Sequence, residues 1–245
     1  MNEFRKEYLG SKITAFVSDD HGFGTDAVLL ADFASPGSKS VCCDLGSGCG
    51  IIPLLWCKKE TGKITAVEIS EKASAQIKEA ITFNSLESRI ELINSDLREL
   101  KGKLLFGSYN IVTMNPPYTA VGAGIISSSS ADKIARHGTE CTLDDVCKAG
   151  SSLLNFGGKL CICIRPERMV ELFNYMQKYS IEPKRIRFVS KRPETAPWLV
   201  LAEGRRGGKS GLRVEPELFV YNENGEYSDQ MKEIYSDYLL ENRSE

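Results

Sequence analysis

The chain has 245 residues, 42% hydrophobic and 26% charged, with a formal net charge of −2. That is enough apolar content for one large core with a small appendage, and any nucleic-acid partner would be held by a local basic patch rather than by the field of the whole molecule. Eight cysteines set mostly in apolar runs, no Cys-x-x-Cys pair, two histidines, no apolar leader and no run of membrane-spanning length exclude a zinc site, a disulfide framework and a membrane span, and predict a reduced, cytoplasmic, metal-free protein.

Residues 1–20 are polar and end in Ile13-Thr14-Ala15-Phe16-Val17, a short hairpin strand. A glycine-loosened loop at 22–24 then enters an amphipathic helix, with Thr25 or Asp26 available either as N-cap or as groups facing a ligand. Next come a buried strand at 41–45, a turn with glycines at 46, 48 and 50, and a helix. Such glycines allow close approach of backbone to a ligand, and a helix N-terminus supplies N–H groups behind them. A nucleotide-type cofactor is expected, but not a dinucleotide. The third fingerprint glycine would fall at Ile51, and Asp44 would repel a pyrophosphate while suiting a cationic amine.

A second strand at 63–68 ends in Glu68, 24 positions after Asp44, and leads to a helix from about 70 to 83. An acid at that tip is placed to accept from a ribose hydroxyl pair. A third strand near 90–93 leads to Asp96, which could accept from an adenine amine, and a fourth at 109–114 delivers Asn115-Pro116-Pro117-Tyr118. Two prolines fix two φ angles, so the Asn115 side chain and the Pro116 carbonyl form a stiff acceptor pair with an aromatic ring beside it. That arrangement suits a planar group carrying an exocyclic amine. The predicted fold is α/β, a doubly wound, mostly parallel sheet with Asp44, Glu68, Asp96 and Asn115 at successive strand tips.

Residues 119–138 are small and polar and read as a substrate lid or a linker, with Arg136 and His137 able to meet phosphate or base. A helix at 142–154, a strand at 158–164 and a helix from Pro166 to 179 follow. Nine basic residues crowd into 184–213, among them Arg185 and Arg187 in a strand and Arg205 and Arg206 in a glycine-rich loop, which predicts one positive face, solvated or bound to phosphate. Residues 227–240 read as a terminal helix, and no repeat is present.

The pairing of Asp-Leu-Gly-Ser-Gly-Cys-Gly at 44–50 with Asn-Pro-Pro-Tyr at 115–118 resembles the class I S-adenosylmethionine-dependent amino-methyltransferases. More narrowly, Gly24-Thr25-Asp26-Ala27-Val28-Leu29-Leu30, Ile134-Ala135-Arg136-His137, Arg165-Pro166-Glu167-Arg168 and Gly207-Gly208-Lys209-Ser210-Gly211-Leu212 resemble the bacterial family that methylates adenine N6 beside the anticodon of a valine tRNA. Gly138 departs from it, since an acidic residue is expected there.

The resemblance implies a Rossmann-like sheet of seven strands over 41–245, with 1–40 as an extension closing the cofactor pocket. It implies that Gly46, Ser47, Gly48 and Gly50 cradle the methionine part of S-adenosylmethionine, with Asp44 on its amino group. Glu68 would hold the ribose, Asp96 and Leu97 the cofactor adenine, and Thr25 and Asp26 the near side of the pocket. Asn115 and Pro116 would orient the target amine, Tyr118 would stack on the base, and Arg136, His137, Arg185, Arg187, Arg205 and Arg206 would meet the tRNA. Rival readings are a glutamine-N5 methyltransferase of the release-factor type, disfavoured because only 40 residues precede Val41, a guanine-N2 rRNA methyltransferase, a DNA adenine methyltransferase and a catalytically silent cofactor-binding module.

Overall fold

A computed structural model describes residues 4–59, 61–116 and 141–238. The first strands, β1 (Arg5–Gly10) and β2 (Ile13–Val17), pair antiparallel as a hairpin, and α1 (Thr25–Ala34) follows. Then come β3 (Cys42–Leu45), α2 (Ile51–Cys57), β4 (Ile64–Glu68), α3 (Glu71–Phe83), β5 (Ile90–Asn94) and β6 (Tyr109–Met114). The second half holds α4 (Leu143–Leu153), β7 (Leu154–Ile164), α5 (Met169–Lys178), β8 (Ile181–Ser190), β9 (Leu199–Arg206), β10 (Arg213–Val214), β11 (Leu218–Phe219) and α6 (Asp229–Tyr235).

The main sheet runs β10-β8-β9-β7-β6-β3-β4-β5, with β11 also on β8. The sheet has nine strands where the resemblance implies seven: β3 to β9 are four residues or longer, and the two-residue β10 and β11 extend the edge at β8. Strands β3 to β7 are mutually parallel, and β9 inserts antiparallel between β7 and β8. Strand order reverses where β6 lies on one side of β3 and β4 on the other. In an open α/β sheet, ligands bind outside the carboxyl ends of the strands at such a switch point.

Alternation along each strand divides the core between the two faces of the sheet. Cys42, Ile111, Cys161 and Cys163 join a cluster with the hairpin, α1, α2, α3 and α6. Cys43, Val112, Leu160, Ile162 and Ile164 join the opposite cluster, with α4 and α5. All eight cysteines are free thiols and seven are buried. On the first face α1 lies across β6, β7 and β9, over the small side chains of Cys161 and Cys163.

The N-terminal segment is pinned to this body by polar side chains. Asn84, at the end of α3, pairs with both backbone groups of Thr14, at 2.9 and 2.7 Å, and satisfies an edge of β2. Fully buried Gln76 donates to the carbonyls of Phe16 and His21. Trp56 Nε1 donates to the Ala31 carbonyl at 3.0 Å and ties α2 to α1.

Three expectations are corrected. Gly24, not Thr25 or Asp26, is the N-cap of α1. Residues 166–168 form a separate 3₁₀ turn before α5. Arg205 and Arg206 end β9 instead of lying in a loop.

Arg185 also departs from the free basic face. Its guanidinium sits 3.8 Å from the centre of the Phe33 ring, donates to the Phe33 carbonyl at 2.6 Å, and pairs with Glu203 at 2.7 Å and Glu215 at 3.3 Å. α1 has no basic residue in its last turn, so Arg185 brings a cation to its C-terminal carbonyls from β8. Glu203 is only 6% exposed. Arg185→Ala, which leaves that carboxylate without its main partner, is expected to cost about 3 kcal/mol in urea unfolding. Arg185→Lys should recover little of it, because a lysine cannot bond as a fork and stack at once.

Candidate functional site

A cavity of about 390 Å³ opens at the switch point, lined by Asp44, Gly46, Ser47 and Gly48 from the β3 turn, by Asn115 and Pro116 from the end of β6, and by Phe23, Gly24 and Asp26 from the approach to α1. The β3 turn is built from left-handed glycines. Gly46, Gly48 and Gly50 have φ of 62°, 56° and 82°, a region costly for residues with a Cβ. Their surroundings differ. A Cβ on Gly50 would come within 3.0 Å of Ile77, so that glycine lets α2 pack on α3, whereas a Cβ on Gly48 would meet no protein atom within 4 Å. Gly48 therefore borders open space.

Backbone bonds hold the turn in place. Ser47 N–H donates to the Val67 carbonyl at 3.0 Å, and Gly48 N–H donates to Glu68 Oε2 at 2.8 Å. Glu68 Oε1 accepts from the Ser70 N–H at 2.8 Å. The strand-tip acid is thus a clamp on the glycine turn and on the start of α3, and each oxygen keeps a second lone pair for a hydroxyl.

Asp44 is 1% exposed and accepts from the Thr113 hydroxyl at 2.7 Å, across the β3–β6 ladder. Burial raises its carboxyl from 3.8 to about 7, a rise that the Thr113 bond opposes only in part and that the nearby Glu68 charge reinforces. A buried acid so poised favours a cation as its partner. Thr113 is a site residue that the sequence reading missed, its signal being a polar side chain two positions before Asn115 in the run Ile111-Val112-Thr113-Met114.

Asn115 is half-buried, and its Nδ2 donates to Asp26 Oδ2 at 3.0 Å, while its Oδ1 accepts from the Cys163 thiol at 3.0 Å. The two amide ends are therefore distinguished by their neighbours. Asp26 comes to the cavity from the first turn of α1, where its Oδ1 accepts from the Ala27 N–H at 3.0 Å.

Other expected site residues point elsewhere. Thr25 Oγ1 meets the Tyr235 hydroxyl at 3.2 Å, facing α6 rather than the cavity. Asp96 caps the 97–99 turn, and both of its oxygens accept from Arg98, Oδ1 from Nε at 3.0 Å and Oδ2 from Nη2 at 2.5 Å, which holds its carboxyl below the usual value. Leu97 is buried and lines a second cavity, with Arg98, Phe106 and Lys148.

The basic residues do not form one face. Arg205 pairs with Lys159 and Arg206 with Ile181, whereas the level of Asn115 on β7 is that of Cys163, which pairs with Leu201. Four residues of strand put Arg205 about 13 Å below that level, and Arg206 donates to the Leu154 carbonyl. Arg187 pairs with Leu201 near the upper level and donates to Pro216 and Gln230. At the carboxyl end of β7, Arg165 lies 5.7 Å from the Trp198 ring centre and donates to its carbonyl at 3.2 Å, a pair at the rim that the sequence reading did not assign. Tyr118, Arg136 and His137, and the segment read as a lid, lie outside the described residues.

A family profile described as the methyltransferase small domain matches residues 9–171, more than half of the chain. The chain belongs to that family. As a member of the methyltransferase small domain family it is similar to proteins named tRNA1(Val) (adenine(37)-N6)-methyltransferase. The one from Histophilus somni is 26% identical over 89% of this chain and 89% of its own length. That from Parabacteroides distasonis is 27% identical over 86% and 90%.

Among solved structures, a predicted O-methyltransferase from Agrobacterium tumefaciens superposes with a TM-score of 0.71 at 18% identity, over 87% of this chain and 97% of that one. The M. jannaschii TYW2 in complex with AdoMet gives 0.54 at 16% identity, over 84% and 86%. These neighbours share the fold. No helix among the described residues is long and apolar enough to cross a membrane, and no group of three or more His, Cys, Asp or Glu among them could hold a metal ion.

Two measurements test this site. Because a cationic ligand needs Asp44 ionised, affinity for S-adenosylmethionine measured by calorimetry should fall toward tenfold per pH unit as pH drops below about 7, and Asp44→Asn should bind weakly with that dependence flattened. By the same sign, the raised carboxyl favours the folded state at acid pH, and that contribution is lost as pH climbs from about 4 through about 7. Gly48→Ala should weaken the same affinity at least about tenfold while lowering stability by only about 1 to 2 kcal/mol, the cost of a side chain in the left-handed region.

Proposed function

We propose that this chain transfers a methyl group from S-adenosylmethionine to the exocyclic N6 of an adenine in tRNA, beside the anticodon, in the cytoplasm. The observation that carries the proposal is one shared cavity: Asn115 and Pro116, from the end of β6, line the same space as Asp44 and the glycine turn. A cradle for an aminoacyl sulfonium and an acceptor for an amine thus lie side by side. The tRNA relatives, matched over nearly the whole chain, support the substrate class.

The residues fit this cofactor. Gly48 leaves open the space that a side chain would fill, and Asp44 is a desolvated acid suited to an ammonium group. Bound there, S-adenosylmethionine supplies an electrophilic methyl group. Residues 1–40 close the near side of the pocket, with Phe23, Gly24 and Asp26 along the wall.

An adenine amine is a poor nucleophile because its lone pair is delocalised into the ring. In this proposal Asn115 Oδ1 and the Pro116 carbonyl accept its two hydrogens, which localises the pair, aims it at the cofactor side of the cavity and stabilises the positive charge that develops on nitrogen. Tyr118 stacks on the base. The target must leave its stack first, which an anticodon loop makes cheaper than a duplex does. Arg165 and Trp198, at the rim, are placed to receive neighbouring nucleotides, and Arg187 the backbone.

The test is incubation with methyl-labelled S-adenosylmethionine and either unmodified tRNA or release factor, followed by digestion and identification of the product. Label in N6-methyladenosine from tRNA is expected, and label in glutamine of the release factor would replace this reading with its rival. Asn115→Ala should cut transfer at least about a hundredfold with cofactor affinity within about threefold of the wild type.

A further inference from the structure

We infer that Asp26 is a positioning residue for the methyl acceptor, acting through Asn115 by fixing which end of its amide meets the amine. The inference rests on the proposed function for the role of Asn115, and goes beyond it in assigning a task to a residue of α1. An asparagine amide has two ends of opposite character, nearly equal in shape, and only the oxygen can accept from an amine. Rotation by half a turn would present Nδ2 and repel the substrate's own N–H groups.

In this structure the amide is held at both ends. Nδ2 donates to Asp26 Oδ2 at 3.0 Å, and a carboxylate accepts and cannot donate, so the flipped amide would face oxygen to oxygen. Oδ1 accepts from the Cys163 thiol, a weak donor, at 3.0 Å. A charged acceptor on Nδ2 also polarises the amide and makes its oxygen a better acceptor.

The placement of Asp26 is itself built. It lies in the first turn of a ten-residue helix whose C-terminal half is held by Trp56 at Ala31 and by Arg185 at Phe33. Its second oxygen is fixed by the Ala27 N–H. Gly24 makes room for it, because a Cβ there would lie 2.6 Å from Asp26 Oδ1. The left-handed region does not explain this glycine, whose φ is −112°. Space for the carboxylate does.

Three variants test the inference in the full-length protein with unmodified tRNA and labelled S-adenosylmethionine. Asp26→Ala should lower kcat by about 10- to 100-fold, the range expected for losing a hydrogen bond to a charged group, with KM for tRNA and cofactor affinity within about threefold. Asp26→Asn, which keeps an acceptor without the charge, should fall between Asp26→Ala and the wild type. Gly24→Ala, which keeps the carboxylate but displaces it, should lower kcat as well.

The deciding measurement is a double-mutant cycle. If Asp26 acts through Asn115, Asp26→Ala costs nothing further in an Asn115→Ala background, whereas additive losses, or a loss confined to cofactor affinity, overturn the inference. Should wild-type protein methylate no RNA, the substrate reading fails, and Asp26 is then judged by nuclear magnetic resonance. The Asn115 side-chain amide protons, assigned by their absence in Asn115→Ala, should move upfield in Asp26→Ala, and an unchanged signal overturns the inference on its own.

Discussion

Four register pairs join β3 to β6 in parallel, from Cys42 with Ile111 to Leu45 with Met114, and the site hangs on that ladder. It sets Asp44 beside Thr113 in the dry middle of the sheet and carries Asn115 out one residue beyond the last pair. Because chain order reverses between these two strands, the helices that follow them lie on opposite faces of the sheet, α2 on the first and α4 on the other. Asp44 and Asn115 thus open into one cavity. Glu68, from the strand on the other side of β3, takes the Gly48 N–H and holds the glycine turn against the same ladder.

The strands make the floor of the cavity, and the N-terminal segment makes its wall. Alone, a hairpin and a ten-residue helix would be marginal in water. Here they share a core with α2, α3 and the small cysteine face of β7, and polar anchors from Gln76, Asn84 and Trp56 remove the freedom that their apolar contacts leave. Arg185 supplies the missing cation at the end of α1. The far end of that helix, with Gly24 and Asp26, is thereby set against Asn115, so a structural ion pair and the amide proposed to hold the methyl acceptor are joined by one element.

Antiparallel β9 has the largest effect on the arrangement of charge. By running back along β7 it carries Arg205 and Arg206 toward the lower edge of the sheet, while β8 returns Arg187 to the upper level. Basic residues close together in the sequence end on different parts of the surface, and one of them, Arg185, is drawn against the Phe33 ring by Glu203 and Glu215. Just past the end of β7 and just before the start of β9, Arg165 and Trp198 form a guanidinium–aromatic pair.

The sequence alone determined the alternation of strands and helices and the mostly parallel, doubly wound sheet that follows from it, because the period of apolar residues and the spacing of glycines and prolines are local properties of the chain. It also placed Asp44, the glycine turn and Asn115 at strand ends, since the chemistry of Asn-Pro-Pro-Tyr and of a glycine turn lies in adjacent residues. Only the tertiary structure decided which polar groups already had partners. That Arg98 takes both oxygens of Asp96, that Thr25 turns to Tyr235, that Glu68 clamps the glycine turn and that Asp26 meets Asn115 depend on what packing brings within 3 Å. Partners far apart in sequence leave no periodic signal. Asp26 and Asn115 are 89 positions apart, and their contact exists because α1 packs over β6 and β7 by burying apolar surface that neither residue supplies.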